Sequence, residues 1–179
     1  MGIKGSKTEK NLYKTFAGES RATIKYLIYA EIARCEGYRW IADIFEETAG
    51  NEKAHAREVL KDYLNKTGTT EENLLDSARG EHDETSKMYK EFEEIAKQEG
   101  FPDIEHFYKE LREVEESHYE RYSKLLEKIK ENKVFKDDGI KQWKCMNCGY
   151  IYEGTEAPKH CPLCGYPRSY FKPYSCKNE

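Results

Sequence analysis

Two short pieces of this chain carry the same pattern, Glu-x-x-His: Glu52-Lys53-Ala54-His55 and Glu115-Glu116-Ser117-His118. On a helix, residues three apart share a face, so each piece aims a carboxylate and an imidazole at one point. Each is half of a metal site, and a fold that uses both must bring their helices together. Further carboxylates stand in helical stretches of their own, Glu19 early in the chain and Glu81 with Glu84 between the two pairs. Two helices giving Glu-x-x-His and two giving glutamates make the ligand set of a di-metal site inside a four-helix bundle.

The helices can be followed in order. Ser6-Lys7-Thr8-Glu9 fits a capping box, opening a first helix that runs to about Glu36 and stops where Gly37 can turn left-handed. Its inward stripe reads Leu12, Phe16, Glu19, Thr23, Tyr26, Ala30, Ala33, in steps of three and four. A second helix, from about Tyr38 to Lys66, turns Ile41, Ile44, Thr48, Glu52, His55, Val59 and Tyr63 inward. Thr69-Thr70-Glu71-Glu72 caps a third, with Leu74, Leu75, Ala78, Glu81, Glu84, Met88, Phe92 and Ile95 inward as far as Gly100. After Phe101-Pro102 a fourth follows Ile104, Tyr108, Leu111, Glu115, His118, Tyr122, Leu125 and Ile129.

An unpaired carboxylate in an apolar seam costs several kcal/mol, so acids placed there need a cation or a proton. All five glutamates and both histidines fall on inward positions near the middle of the helices, and two divalent ions would offset the acids almost entirely. Carboxylate oxygens with one imidazole per metal suit iron or manganese better than copper or a closed zinc site. Seven ligands for two metals leave coordination positions open, which catalysis needs. Asp103-x-x-His106 has a similar look but lies off the seam and reads as surface.

From Asn132 to Ile140 the helical pattern gives way to a polar stretch. The expected division is therefore a bundle over 1–133, a linker over 134–140 and a small domain over 141–179. That domain holds Cys145-Met146-Asn147-Cys148-Gly149 and Cys161-Pro162-Leu163-Cys164-Gly165. In each, the glycine lets the backbone turn and aim N–H groups at the sulfurs, and four thiolates at this spacing make a tetrahedral metal site. Zinc and iron both accept it. His160 reads as surface, and Cys35 and Cys176, without partners at ligand spacing, as ordinary thiols.

Composition narrows the rest. Charged residues are 36% of the chain and hydrophobic ones 37%, interleaved at helical spacing, which fits a mainly α protein. Lysines and glutamates mix along every helix, which argues against a nucleic-acid surface. Nothing approaches the ~20 apolar residues of a membrane span, and the N-terminus lacks a signal sequence, so a cytoplasmic location is expected. No Gly-x-Gly-x-x-Gly fingerprint for a dinucleotide is present.

The segments Phe16-Ala17-Gly18-Glu19-Ser20, Asn51-Glu52-Lys53-Ala54-His55, Gly80-Glu81-His82-Asp83-Glu84 with Met88-Tyr89, and Glu115-Glu116-Ser117-His118 resemble those of the rubrerythrin family, and the cysteine tail agrees. The second acid of the third-helix pair, Glu84, separates that family from the minimal di-iron pattern. Tyr150, Tyr152, Tyr170, Phe171 and the Cys-Pro-x-Cys-Gly knuckle resemble rubredoxin, which favours iron in the tail; a structural zinc ribbon is the alternative. The resemblance implies a ferritin-like four-helix bundle followed by a rubredoxin-like domain, with a di-iron centre and one four-cysteine iron.

It further implies a peroxidase that reduces hydrogen peroxide to water in oxidative-stress defence. Its electrons would come through free rubredoxin or a separate NAD(P)H-dependent rubredoxin reductase. Glu52 and Glu115 are then candidates for bridging carboxylates, and Glu19, Glu81, Glu84, His55 and His118 for terminal ligands, with Glu84 exchanged for His55 on one iron upon reduction. Tyr26 and Tyr89 match tyrosines that hydrogen-bond ligand carboxylates. A ferroxidase or iron-storage protein, and an electron carrier with a zinc ribbon, are the competing classes.

Lengths add two expectations about assembly. His118 lies ~14 residues from the end of its helix, about 21 Å, so electrons should arrive from another subunit. A bundle of this type needs a long crossover between its second and third helices, yet only Thr67 to Thr70 stand there. A homodimer that exchanges helix pairs would satisfy this; a simple up-down-up-down monomer is the competing arrangement.

Overall fold

The computed structural model describes residues 2–174, and packing divides the chain at Thr69/Thr70 into two units. The first is a helical hairpin of α1 (Lys7–Cys35) and α2 (Arg39–Glu58), the latter running into a π turn at Val59–Tyr63. Ser6 caps α1 by accepting the Glu9 N–H at 3.0 Å, and the Glu9 carboxylate accepts the N–H of Gly5, closing the box one residue early. Gly37, at φ +88°, ends the helix while the Tyr38 N–H returns to the Ala33 carbonyl at 2.8 Å. Cys35, at the end of α1, is exposed; Cys176 lies outside the described residues.

The hairpin is closed by alanines: Ala30, Ala33, Ala42, Ala49 and Ala56 are all buried, with Phe45 packed against the first three. Short side chains there let the two helices approach closely. On α2 the buried edge is thus Ala42, Ala49, Ala56 and Val59, not the expected Ile41 and Ile44, which are 41% and 45% exposed. A bundle helix faces two neighbours, and periodicity locates the middle of its apolar stripe without saying which edge meets which neighbour.

The second unit begins with α3 (Thr70–Asp83), a π turn (Glu84–Met88) and α4 (Tyr89–Gln98), followed by α5 (Pro102–Lys130). Gly100, at φ +80°, separates α4 from α5. Met88, Phe92 and Ile95, expected inward, are 37%, 37% and 42% exposed, whereas Ala96 is buried and Tyr89 half-buried. The π turn takes up one more residue than an α turn, so the stripe beyond it is displaced by one position. On α5 the buried leucine is Leu126 in place of Leu125.

A three-stranded antiparallel sheet completes the unit: β1 (Lys136–Cys145), β2 (Ile151–Glu156) and β3 (Phe171–Tyr174), in the order β2-β1-β3. Its core is Trp143, Cys145, Ala157, Cys161 and Phe171, and the Trp143 indole N–H donates to the Gly154 carbonyl at 3.0 Å. The expected linker is shorter than the composition suggested. Phe135 packs on this core and its carbonyl accepts the Ala157 N–H at 2.9 Å, while Lys136–Ile140 already belong to β1.

The second hairpin repeats the first in sequence. Thr8-Glu9, Asn11-Leu12, Gly18-Glu19 and Thr23 recur as Thr70-Glu71, Asn73-Leu74, Gly80-Glu81 and Thr85. Beyond the π turn, and one residue further on, Tyr26, Glu31-Ile32-Ala33, Glu36-Gly37, Ile41 and Glu52-x-x-His55 recur as Tyr89, Glu94-Ile95-Ala96, Glu99-Gly100, Ile104 and Glu115-x-x-His118.

Candidate metal centres

Each hairpin gathers one triad. In the first, Glu19 of α1 meets Glu52 and His55 of α2; in the second, Glu81 of α3 meets Glu115 and His118 of α5. The ligand atoms within each triad lie within 4.8 Å of one another. His55 Nδ1 is 3.0 Å from Glu52 Oε2, and His118 Nδ1 is 2.7 Å from Glu115 Oε2 and 3.8 Å from Glu81 Oε2. The three-residue spacing does this directly, since both members of each pair leave the same face. Glu52, Glu81 and Glu115 are half-buried, and His55 is 59% exposed.

The electrostatics of the two triads agree. A hydrogen bond to Glu52, aided by burial, raises the Glu19 pKa above its ordinary value. Burial, then a hydrogen bond to Glu115, raises that of Glu81. Two carboxylates this close repel each other when both are ionised, so each pair calls for a proton or a divalent ion to offset its charge. This is the test the residues pass: oxygen-rich triads with one imidazole each, whose acids lack the positive charge their closeness demands.

Glu84 stands apart from these triads. It is half-buried in the π turn; burial, and then this nearby acid, raise the pKa of Tyr89. Tyr89 stacks on Tyr108 of α5 at 5.9 Å and 30°, just as Tyr26 stacks on Phe45 of α2 at 6.2 Å and 27°. The sequence pattern gives Tyr108 only a seam position and singles out nothing at Phe45. Both stand two turns before a ligand glutamate on the same face, the signal that marks them as supports. The Thr23 and Thr85 hydroxyls donate back to the carbonyls of Glu19 and Glu81 at 2.9 and 2.8 Å, holding the ligand turns. His106 pairs with Glu110 and is 71% exposed, in keeping with its off-seam place.

The four-cysteine site is built from two matching turns. Gly149 and Gly165, at φ +79° and +74°, let their N–H groups reach the carbonyls of Cys145 and Cys161, both at 2.9 Å. The N–H groups of Tyr150 and Tyr166 point at Cys148 and Cys164. Sulfur–sulfur separations of 3.8 Å (Cys145–Cys164) and 3.6 Å (Cys148–Cys161) are close to the ~3.8 Å edge of a tetrahedron with bonds of about 2.3 Å. The Tyr166 N–H brings the Cys164 thiol down to about 6. At Cys148 the Tyr150 N–H acts in the same sense, but burial and the neighbouring thiols override it and push the group to about 12. His160 lies outside the sulfur cluster and is exposed.

A helical protein that carries two glutamate–histidine triads and a separate four-sulfur site is of the di-iron carboxylate class, joined to a rubredoxin-like domain. Comparison with known families says the same: the rubrerythrin family matches residues 10–126, and the rubredoxin-like domain of rubrerythrins matches residues 143–172. A rubrerythrin of Clostridium perfringens is 44% identical, with 95% of each chain covered. Rubrerythrin-1 of Clostridium acetobutylicum is 42% identical over the same shares, and a putative rubrerythrin of Methanocaldococcus jannaschii is 40% identical over 95% of this chain and 94% of its own. The chain belongs to the rubrerythrin family, a family of oxidoreductases, and its residues fit a di-iron centre and a rubredoxin-type iron. Among the described residues no helix is long and apolar enough to cross a membrane.

Proposed function

We propose that this chain reduces hydrogen peroxide to water, H2O2 + 2 e− + 2 H+ → 2 H2O, with electrons relayed through its four-cysteine iron. The observation that carries the reading is the pairing, in one chain, of two open Glu-Glu-His triads with a closed four-sulfur cage. A pair of ferrous ions supplies two electrons together, and an iron held by four thiolates supplies them singly. The protein's part is to hold these centres. Glu52 and Glu115 are the candidates to bridge, Glu19, Glu81, Glu84, His55 and His118 to bind terminally, and Tyr26 and Tyr89 to orient carboxylates. By resemblance to the rubrerythrin pattern, Glu84 and His55 would be alternative ligands for one of the two ions.

Each hairpin owns only one triad, so a complete centre needs one hairpin of each kind. The connection from Tyr63 to Thr70 is short for a crossover along a bundle, which supports a homodimer in which the first hairpin of one copy joins the second hairpin of another. From His118 to the end of α5 at Lys130 is about 18 Å of helix, which favours electrons arriving from a neighbouring copy's cysteine site. The donor upstream is rubredoxin or an NAD(P)H-dependent rubredoxin reductase in the cytoplasm.

The test is an anaerobic titration of the fully reduced protein. One equivalent of peroxide per di-iron centre should oxidise it, faster than dioxygen does. Preference for dioxygen with iron loading would instead indicate a ferroxidase or storage protein. Absence of visible iron–thiolate absorption in protein grown with iron would leave a zinc ribbon.

A further inference from the structure

Tyr26 and Tyr89 each belong to a cluster of three rings, and the clusters correspond through the internal repeat: Tyr26, Tyr29 and Phe45 in the first hairpin, Tyr89, Phe92 and Tyr108 in the second. Ring centroids are 5.6 to 6.3 Å apart in the first and 5.5 to 6.1 Å apart in the second, the spacing of rings in contact. Packing asks only for a ring at each position, yet each cluster holds two phenols and one phenyl. The second phenol is Tyr29 on α1 in one hairpin and Tyr108 on α5 in the other. What a phenol adds to a phenyl is an electron and a proton that can leave together.

The pair in the second hairpin is the better placed. Tyr89 and Tyr108 are both half-buried and stacked at 30°, whereas Tyr29 is 40% exposed and tilted by 50° to Tyr26. Tyr89 lies within electrostatic reach of Glu84 and Glu115, both candidate ligands. Tyr108 stands beyond it, two turns along α5 from Glu115, walled by Tyr89, Phe92 and Phe107 at 5.9, 5.5 and 5.4 Å.

Reduction of peroxide takes two electrons, and an iron held by four thiolates delivers them one at a time. A centre that meets peroxide between two deliveries is one electron short. Finishing with the single electron gives H2O2 + e− + H+ → H2O + HO•, a hydroxyl radical set loose among the ligands. A phenol that gives the missing electron with its proton makes the reaction H2O2 + e− + H+ + Tyr–OH → 2 H2O + Tyr–O•, and both oxygens leave as water.

We propose that Tyr89 and Tyr108 are a one-electron reserve for a half-filled centre. Tyr89 gives up the electron and proton, and Tyr108 restores Tyr89 by passing its own hydrogen across the stacked rings. The radical then rests on Tyr108, away from the metals, until the next electron from the four-cysteine iron and a proton return it to the phenol. This rests on the peroxidase reading and gives two residues outside the ligand set a part in it.

The test uses the full-length, iron-loaded protein, reduced without oxygen and mixed with excess peroxide while no further donor is present. Samples frozen during the reaction should show, by electron paramagnetic resonance, a tyrosyl radical whose splitting narrows when the protein is grown on ring-deuterated tyrosine. Tyr89→Phe and Tyr108→Phe keep every ring in the cluster. The first should abolish the radical and the second should shorten its life, and in each an added spin trap should now capture hydroxyl radical. Tyr29→Phe should change neither readout. Absence of a tyrosyl radical from the unaltered protein overturns the proposal, and so does one that persists when Tyr89→Phe and Tyr108→Phe are combined. If peroxide fails to oxidise the fully reduced centre at all, the peroxidase reading falls and takes this proposal with it; oxidation of that centre with no radical sinks the proposal alone.

Discussion

Metal uptake by this chain should be driven by pH in a direction set by its paired acids. Glu19 with Glu52, and Glu81 with Glu115, are close enough to raise one carboxyl of each pair above the ordinary value of 4.5. In the metal-free protein, each pair therefore holds a proton to a higher pH than the unfolded chain does. A raised carboxyl favours the folded metal-free state at low pH, and this contribution is lost as the pH climbs past 4.5 and through the raised values. A divalent ion must displace the same protons, so its affinity moves the other way and strengthens over that window.

With one proton displaced per pair, the two carboxylate pairs should together contribute about a hundredfold per pH unit below the raised values, tenfold from each, in addition to the protons released by the histidine ligands, and this contribution should end above the raised values. The assay is calorimetric titration of metal-free protein with manganous ion in two buffers of different ionisation enthalpy, repeated from pH 5 upward. Substituting Glu19→Gln and Glu81→Gln together removes the carboxylate pairs and should make the profile shallower, leaving the part due to the histidines. A flat profile in the unaltered protein, with no proton released on binding, would refute the shared-proton account of the triads.

Other outcomes follow from single contacts. Trp143→Ala, which empties a buried site and strands the Gly154 carbonyl, should cost about 3–5 kcal/mol and make the four-cysteine metal far easier to remove by chelator, read from loss of its visible absorption. Ala49→Leu in the alanine-lined contact of the first hairpin should destabilise by about 1–3 kcal/mol, because Ala49 is 2% exposed and the helices have no room for the added carbons; thermal unfolding measures it. Ser6→Ala removes the cap on α1 and should cost about 1 kcal/mol without altering metal content.

Much of this was written plainly in the sequence. The helix starts and stops at Ser6, Gly37 and Gly100 follow from local chemistry, and the Glu-x-x-His spacing alone fixes which two ligands share a face. The cysteine turns are equally local, since two residues between cysteines and a following glycine dictate the backbone path. What periodicity could not supply was the side of the stripe each residue takes. Ile41 and Ile44 look like core, yet alanines hold that edge of α2, because small residues carry little hydrophobic signal while permitting the closest helix contact. The displacement of Met88, Phe92 and Ile95 has a different cause, the inserted residue at the π turn. Alignment of the two hairpins on each other reveals that insertion, whereas a single helical period does not. Strand β1 was hidden for a third reason: Lys136 to Gly139 are polar and turn-like in composition, and of these only Lys136 pairs with β2, opposite Glu156, before the register shifts and resumes at Lys141.

The alanine contact inside the first hairpin has a consequence for the protein's life in the cell. Methyl groups bury little apolar surface, at about 0.8 kcal/mol per carbon, so the hairpin's own grip is weak for its length. Ions bound only by the folded protein would add cohesion, about 2.7 kcal/mol for each site at a free concentration one hundred times its dissociation constant. When iron is scarce, nascent copies would spend longer opened and meet proteases more often. Abundance would thus fall with iron supply before any change in transcription, making turnover itself a gauge of the nutrient the protein needs.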